Sequence, residues 1–239
     1  MLIKDYLVST SSLFYSFLFT LPLFLIYEVG LILSSRDDMV QMRNGADALL
    51  RQILSTVGLH GFYWMGGIFF LGILLVFFSK RKSWQKRELS FNYLAFMSFE
   101  SFIYAYLLFI FMSNVHLLLM NPSGHYLVQQ VTLAIGAGLY EEILFRVLLI
   151  TSIARILCFI FQWDATTGKW IAMIISAGIF SSFHFIGEFG DYYSFNIFMV
   201  RFFAGIILGI LYFFRGFGIV SWSHALYDLI VLIKITTVK

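Results

Sequence analysis

Charge is scarce in this sequence, and so are the residues that interrupt or staple a chain. Only 12% of its 239 residues are charged, against about 25% in soluble domains. With 60% of residues hydrophobic, a single water-soluble core of this size has no room for the apolar matter, and lipid must cover the remainder. Two prolines, Pro22 and Pro122, leave long stretches free to be helical. One cysteine, Cys158, excludes an intramolecular disulfide and any cysteine-based metal cluster. Set in an apolar run, it reads as a packing residue. Low-complexity tracts, transporter-like internal repeats and linkers long enough to separate domains are also missing. The first apolar segment exceeds a secretory h-region and is followed by no small-residue cleavage site, so it is expected to remain as a span.

Apolar and aromatic residues fill the chain instead. Mean hydropathy is +0.87, and there are 29 phenylalanines. The apolar residues fall in runs suited to a bilayer core, which needs about 20 helical residues. Uninterrupted runs such as 66–78 argue against a spanning barrel, whose strands alternate. The expected fold is therefore all-α: a polytopic transmembrane bundle of about seven spans, near 13–33, 60–79, 91–113, 132–160, 170–187, 196–214 and 218–236. Residues 36–58 mix charged and apolar positions at helical spacing and are expected to form an extra interfacial helix or a packed connector. The basic run Lys80-Arg81-Lys82 with Lys86 and Arg87 assigns its loop to the inside. Counting spans from there puts the N-terminus inside and the C-terminus outside. The whole chain, 1–239, reads as a single membrane domain, with N-terminal helices and the basic loop in 1–125 and the motif-bearing helices in 126–236. Lipid is the partner this composition requires; nothing in it calls for nucleic acid.

Ionisable residues inside such spans carry the functional information, because each costs roughly 2.5–3.5 kcal/mol at mid-membrane even on the lenient insertion scale. The candidates are Glu28, Glu100, Glu141, Glu142, Arg146, Arg201 and Asp228, with His184 and His224. Glu142 and Arg146 are four apart on one helical face and can pair. Glu141 points about 100° away, with no partner in its own helix and with Ala137 and Gly138 one turn earlier to admit a neighbouring helix. On spacing alone, the first acid is either available for chemistry or part of an interhelical polar network. His184, one turn after Phe180, is either functional or a hydrogen-bonded core histidine. His224 and Asp228 share a face, as a carboxylate that orients a histidine or as a packing pair. Glu100 and Arg201 would neutralise one another if their helices touch.

In order along the chain, these pieces read Glu141-Glu142-x-x-x-Arg146, Phe180-x-x-x-His184, Phe202-x-x-Gly205-x-x-x-Gly209 and His224-x-x-x-Asp228. This order resembles the CPBP family, which comprises the CAAX prenyl endopeptidases and the bacteriocin-processing or immunity proteins also called the ABI family. The resemblance covers roughly residues 130–230. It implies an intramembrane endopeptidase in which Glu141 is the general base and His184 helps it activate a water. It assigns His224 and Asp228 to the tetrahedral oxyanion, with Glu142 and Arg146 as structural support. An ionised aspartate cannot donate a hydrogen bond to an oxyanion, so Asp228 is expected to orient His224, the donor. The family's older metalloprotease name implies zinc on Glu141, His184 and His224 as a second choice. The lack of a His-Glu-x-x-His helix favours a cofactor-free reaction. The implied substrate is a membrane-associated protein or peptide, and the short chain suits a bacterial cytoplasmic membrane. A partner-binding or immunity protein of the same fold, or a proton-relaying transporter, are the competing readings.

Overall fold

The computed structural model describes residues 3–33, 43–56, 58, 67, 72, 90–113, 127–187 and 190–237. Among these it contains seven helices: α1 (Ile3–Thr10), α2 (Leu13–Leu33), α3 (Gly45–Thr56), α4 (Phe91–Ser113), α5 (Leu127–Phe161), α6 (Ala165–Phe183) and α7 (Phe195–Thr237). No strand is present among the described residues. The all-α expectation therefore holds, while the span count is coarser than expected. Four helices are long and apolar enough to cross a membrane: α2, α4, α5 and α7. The expected span at 170–187 corresponds to α6, which falls short in apolarity because its start carries Thr166, Thr167 and Lys169. The expected span at 60–79 and the basic loop from Lys80 to Arg87 lie outside the described residues.

The two longest helices set the architecture. α5 has 35 residues, about 52 Å at the α-helical rise, well over the ~30 Å of a hydrocarbon core. Its middle, Ala137–Glu141 and Ile143–Ile150, is wound as wide π-type turns, which often mark functional sites. α5 ends at Gln162, whose left-handed backbone (φ 54°) stops the helix. Asp164 then caps α6, accepting from the Thr166 and Thr167 amides at 2.9 and 3.0 Å. The Thr167 hydroxyl and these amides hold the exposed Asp164 carboxyl below its ordinary pKa.

α7 is broken at Gly216 (φ 79°, ψ 179°), a conformation essentially confined to glycine. The break separates two arms that match the expected spans at 196–214 and 218–236. The second arm returns beside the first. Arg146 reaches the Gly205 carbonyl on one arm and pairs with Glu142, which holds His224 on the other. A straight helix would set residues 205 and 224 about 28 Å apart.

Buried polar groups fasten the bundle. Arg215, next to the break, takes both oxygens of Glu100 on α4 and also bonds Thr10 and Ser11. Tyr6 of α1 donates to the same glutamate. The expected Glu100–Arg201 pair is thus replaced: Arg201 binds Asp191 instead. The reason is position, because Arg215 borders the break and faces α1 and α4 there. α3 also differs from a surface helix. Its Ala46, Asp47 and Leu50 are buried, and it joins a core cluster with Leu23, Tyr27, Leu139, Tyr140, Phe217 and Ala225. Asp47, with no exposed surface, is held by the Tyr27 hydroxyl at 2.9 Å and by Arg43 and Arg51 at 2.7 and 2.6 Å, so the charge enters the core fully paired.

Small residues set how closely α5 and α7 approach. A Cβ on Gly138 would lie 2.5 Å from the Ala225 Cβ and 2.6 Å from the Ser221 carbonyl oxygen, whereas one on Gly178 would meet nothing within 4 Å. Gly138→Val is accordingly expected to lower stability by about 2–3 kcal/mol, and Gly178→Ala to leave it unchanged or slightly raised. Thermal melting of both variants in detergent checks this contrast; equal melting temperatures would refute the close crossing.

Candidate active site

The site is assembled where α5, α6, the second arm of α7 and the start of α3 meet. Glu142 lies at its back with no exposed surface, beside Arg146 at 2% and His224 at 5%. Its Oε1 accepts from His224 Nδ1 at 2.7 Å and pairs with Arg146 at 3.0 Å. Arg146 further sits over the Phe180 ring, 4.6 Å from the centroid. The Glu142–Arg146 pair read from their spacing is therefore present, and a buried acid between two cationic partners is a tolerable arrangement in a dry environment. With Nδ1–H committed to Glu142, the opposite ring atom of His224, Nε2, is the one directed onward.

Glu141 faces a different neighbour, as the helix geometry requires. Its Oε1 accepts from the Asn44 side-chain amide at 2.9 Å. Its Oε2 has no hydrogen bond and lies 4.0 Å from His184 Nε2. His184 is held from behind: its Nδ1–H donates to the Phe180 carbonyl at 2.9 Å, which leaves Nε2 as the atom facing Glu141. This bond also explains how His184, at the end of α6, reaches a centre deeper in the bundle. Side chains on a helix lean toward its N-terminus, and the ring folds back one turn against Phe180, with centroids 4.9 Å apart. Phe180 walls the His224 ring as well, at 6.2 Å.

Burial grades across the site. Glu141, Glu142, Arg146 and His224 are buried, whereas the side chains of His184 and Asp228 keep 27% and 29% of their surface. Glu141 therefore sits at the floor of a cleft whose rim is His184 and Asp228. Asp228 Oδ2 is 3.7 Å from His224 Nε2, beyond a hydrogen bond. The expectation that Asp228 orients His224 is therefore corrected. Glu142 does so, because it reaches Nδ1 across the α5–α7 contact, and Asp228 instead stands at the open side of the same ring.

Among the described residues, no group of three or more His, Cys, Asp or Glu side chains is arranged to hold a metal ion. In the alternative zinc set, Glu141, His184 and His224, both histidine rings are held through Nδ1, His224 by Glu142 and His184 by the Phe180 carbonyl.

The structure brings together all six residues singled out in the sequence: Glu141, Glu142, Arg146, His184, His224 and Asp228. It adds one that sequence reasoning missed. Asn44 precedes α3, where its Oδ1 accepts from the Ala46 amide at 2.9 Å and its backbone N–H meets the Tyr27 hydroxyl at 3.3 Å. The cap fixes the amide so that its NH2 points at Glu141. The available signal was Asn44-Gly45 at the start of a helical pattern, which marks a cap but says nothing of its partner.

Residues 123–230 match the family described as type II CAAX prenyl endopeptidase Rce1-like. No curated protein and no solved structure matches the chain. The match spans the four motifs and every acidic and basic residue of the cleft, and it leaves out Asn44. Over this segment the chain is similar to the Rce1-like CAAX prenyl endopeptidases, and its four long apolar helices mark it as membrane-embedded.

Proposed function

We propose that this protein is an intramembrane endopeptidase that hydrolyses a peptide bond of a membrane-associated substrate with a water activated between Glu141 and His184. One observation carries the reading. Glu141 Oε2 and His184 Nε2 face each other at 4.0 Å, both are acceptors in this arrangement, and each residue is held from behind by a separate hydrogen bond. A water at the cleft rim donates one hydrogen to each. Its oxygen then attacks the scissile carbonyl carbon while its proton passes to Glu141. The carbonyl oxygen becomes an oxyanion, which the Nε2–H of His224 stabilises. To donate there Nε2 must carry a proton, and Glu142 and Asp228 are the two anions that balance the imidazolium charge. Glu141 returns its proton to the departing amine, the C–N bond breaks, and the base is regenerated. Glu142 and Arg146 act through His224 and touch no substrate.

The family description makes a prenylated C-terminal peptide the first substrate class to try, and a peptide with an unmodified C-terminal signal the second. The acid, histidines and open rim favour catalysis over a partner-binding role, which needs no acceptor pair of this kind.

Cleavage assays on purified protein test this reading. Glu141→Gln, which keeps size and hydrogen bonding, should lower kcat by about 10²–10⁴-fold while melting as wild type does. A chelator should leave the wild-type rate unchanged. An inactive wild type across both substrate classes, or a fully active Glu141→Gln, would sink the proposal; loss of activity on chelation would sink the metal-free route. Asn44→Ala should lower kcat by about tenfold with KM unchanged, the loss of one positioning hydrogen bond. Asn44→Asp, which sets a second carboxylate against Glu141, should be worse; equal rates for all three would remove Asn44 from the mechanism. Asp228→Asn should retain at least about a tenth of the activity, since an amide can donate to an oxyanion. Complete loss would instead give the carboxylate itself an essential part.

A further inference from the structure

A second cavity lies behind the catalytic helix, on the face of α5 turned away from Glu141. Its volume is about 890 Å³, within the range of built ligand sites. Val147 of α5, Phe17 of α2, and Tyr212 and Phe217 beside the break in α7 give it apolar walls. Tyr140, Ile150, Ala154 and Phe217, all lining it, are buried, while Leu13, also lining it, is exposed, so the cavity runs from the interior to the surface. Its mouth is different in kind. Arg155 and Lys169, from α5 and α6, line it there and are exposed. Neither forms an ion pair among the described residues. The hydroxyl-bearing residues Ser11 and Thr151 also line this cavity.

This combination selects its occupant. An apolar chamber suits hydrocarbon, and two cations at its opening with no ion pair among the described residues suit an anionic group attached to that hydrocarbon. The position agrees. The mouth lies at the bundle end that holds Ser11, the α5–α6 turn and Gly216, which span counting from the basic loop assigns to the inner leaflet, where anionic lipids concentrate. We propose that this cavity binds the acyl chain of an anionic phospholipid, with its phosphate between Arg155 and Lys169. The occupant would pack against both the π-wound part of α5 and the Gly216 break, and so brace the two elements that carry Glu142 and His224. The site is separate from the catalytic cleft and does not depend on the protease reading.

The test counts lipids retained by the purified full chain in native mass spectrometry after incubation with phosphatidylglycerol or phosphatidylcholine of the same chain length. One phosphatidylglycerol per chain should be retained, and phosphatidylcholine at least about tenfold less. Arg155→Gln with Lys169→Gln, both on exposed side chains, should erase that preference while helicity and melting without lipid are kept. Val147→Trp should fill the chamber and remove retention of either lipid. Glu141→Gln should bind as wild type does, which separates this site from the catalytic one. Equal retention of the two lipids, or a preference unchanged in the double variant and in Val147→Trp, would overturn the proposal. So would a prenylated peptide that occupies the chamber while phosphatidylglycerol does not.

Discussion

A carboxylate with no exposed surface has to be compensated, and Glu142 is compensated from two helices at once. Arg146 approaches it from one turn along α5 and His224 from the returning arm of α7. Removing either partner would leave a charge uncovered in a dry interior, at a cost of several kcal/mol. The pair of contacts therefore sets more than a local geometry. It fixes the rotation of α5, and since Glu141 is the next residue, it also fixes where the second acid points. It anchors Nδ1 of His224 and so decides which ring atom faces the cleft. The glycine at position 138 lets the two helices come close enough for these bonds to form.

The same logic repeats at the other end of α7. Gly216 supplies a backbone shape that turns the chain between its arms, but a turn alone does not hold two arms in place. Arg215, adjacent to it, bonds Glu100 on α4 and two hydroxyls from the first turns of the chain. Charge-assisted bonds of this type are strong and directional where water is excluded. One arm is thus fixed near the break by Arg215 and near the site by the Gly205 carbonyl contact with Arg146. His224 then rides on the other arm against a frame held at both ends.

Composition made the membrane class legible, and spacing separated Glu142 from Glu141 and tied Glu142 to Arg146. Those inferences rest on the helical period, which reports neighbours along one helix. Partners across helices have no such period. The sequence therefore suggested Glu100 with Arg201 and Asp228 behind His224, where the structure has Arg215 and Glu142 in those roles. The break at Gly216 could be placed within a residue or two, because apolar runs stop on either side of Arg215-Gly216. Its consequence could not, since a returning arm and a straight one share the same pattern. The depth of His184 was likewise hidden, because it depends on a side chain folding back onto the Phe180 carbonyl.

The family resemblance and the matched segment both end short of the N-terminal half, yet that half reaches Glu141. Asn44 is a cap residue whose own acceptor is spent on the Ala46 amide, and its amide NH2 is the group that engages one oxygen of Glu141. A carboxylate held by one oxygen keeps the other oriented and open, which is the condition a general base needs. Asn44 is held in turn by Tyr27, and Tyr27 by Asp47 with its two arginines. This chain of bonds runs from α2 and α3 into the centre and contains no residue of the four motifs. Residues 123–230 therefore carry the four motifs without carrying everything that positions their side chains. A relative with the same motifs and a different residue before its third helix would hold its base differently, and the N-terminal helices would be the place to look for differences in rate between them.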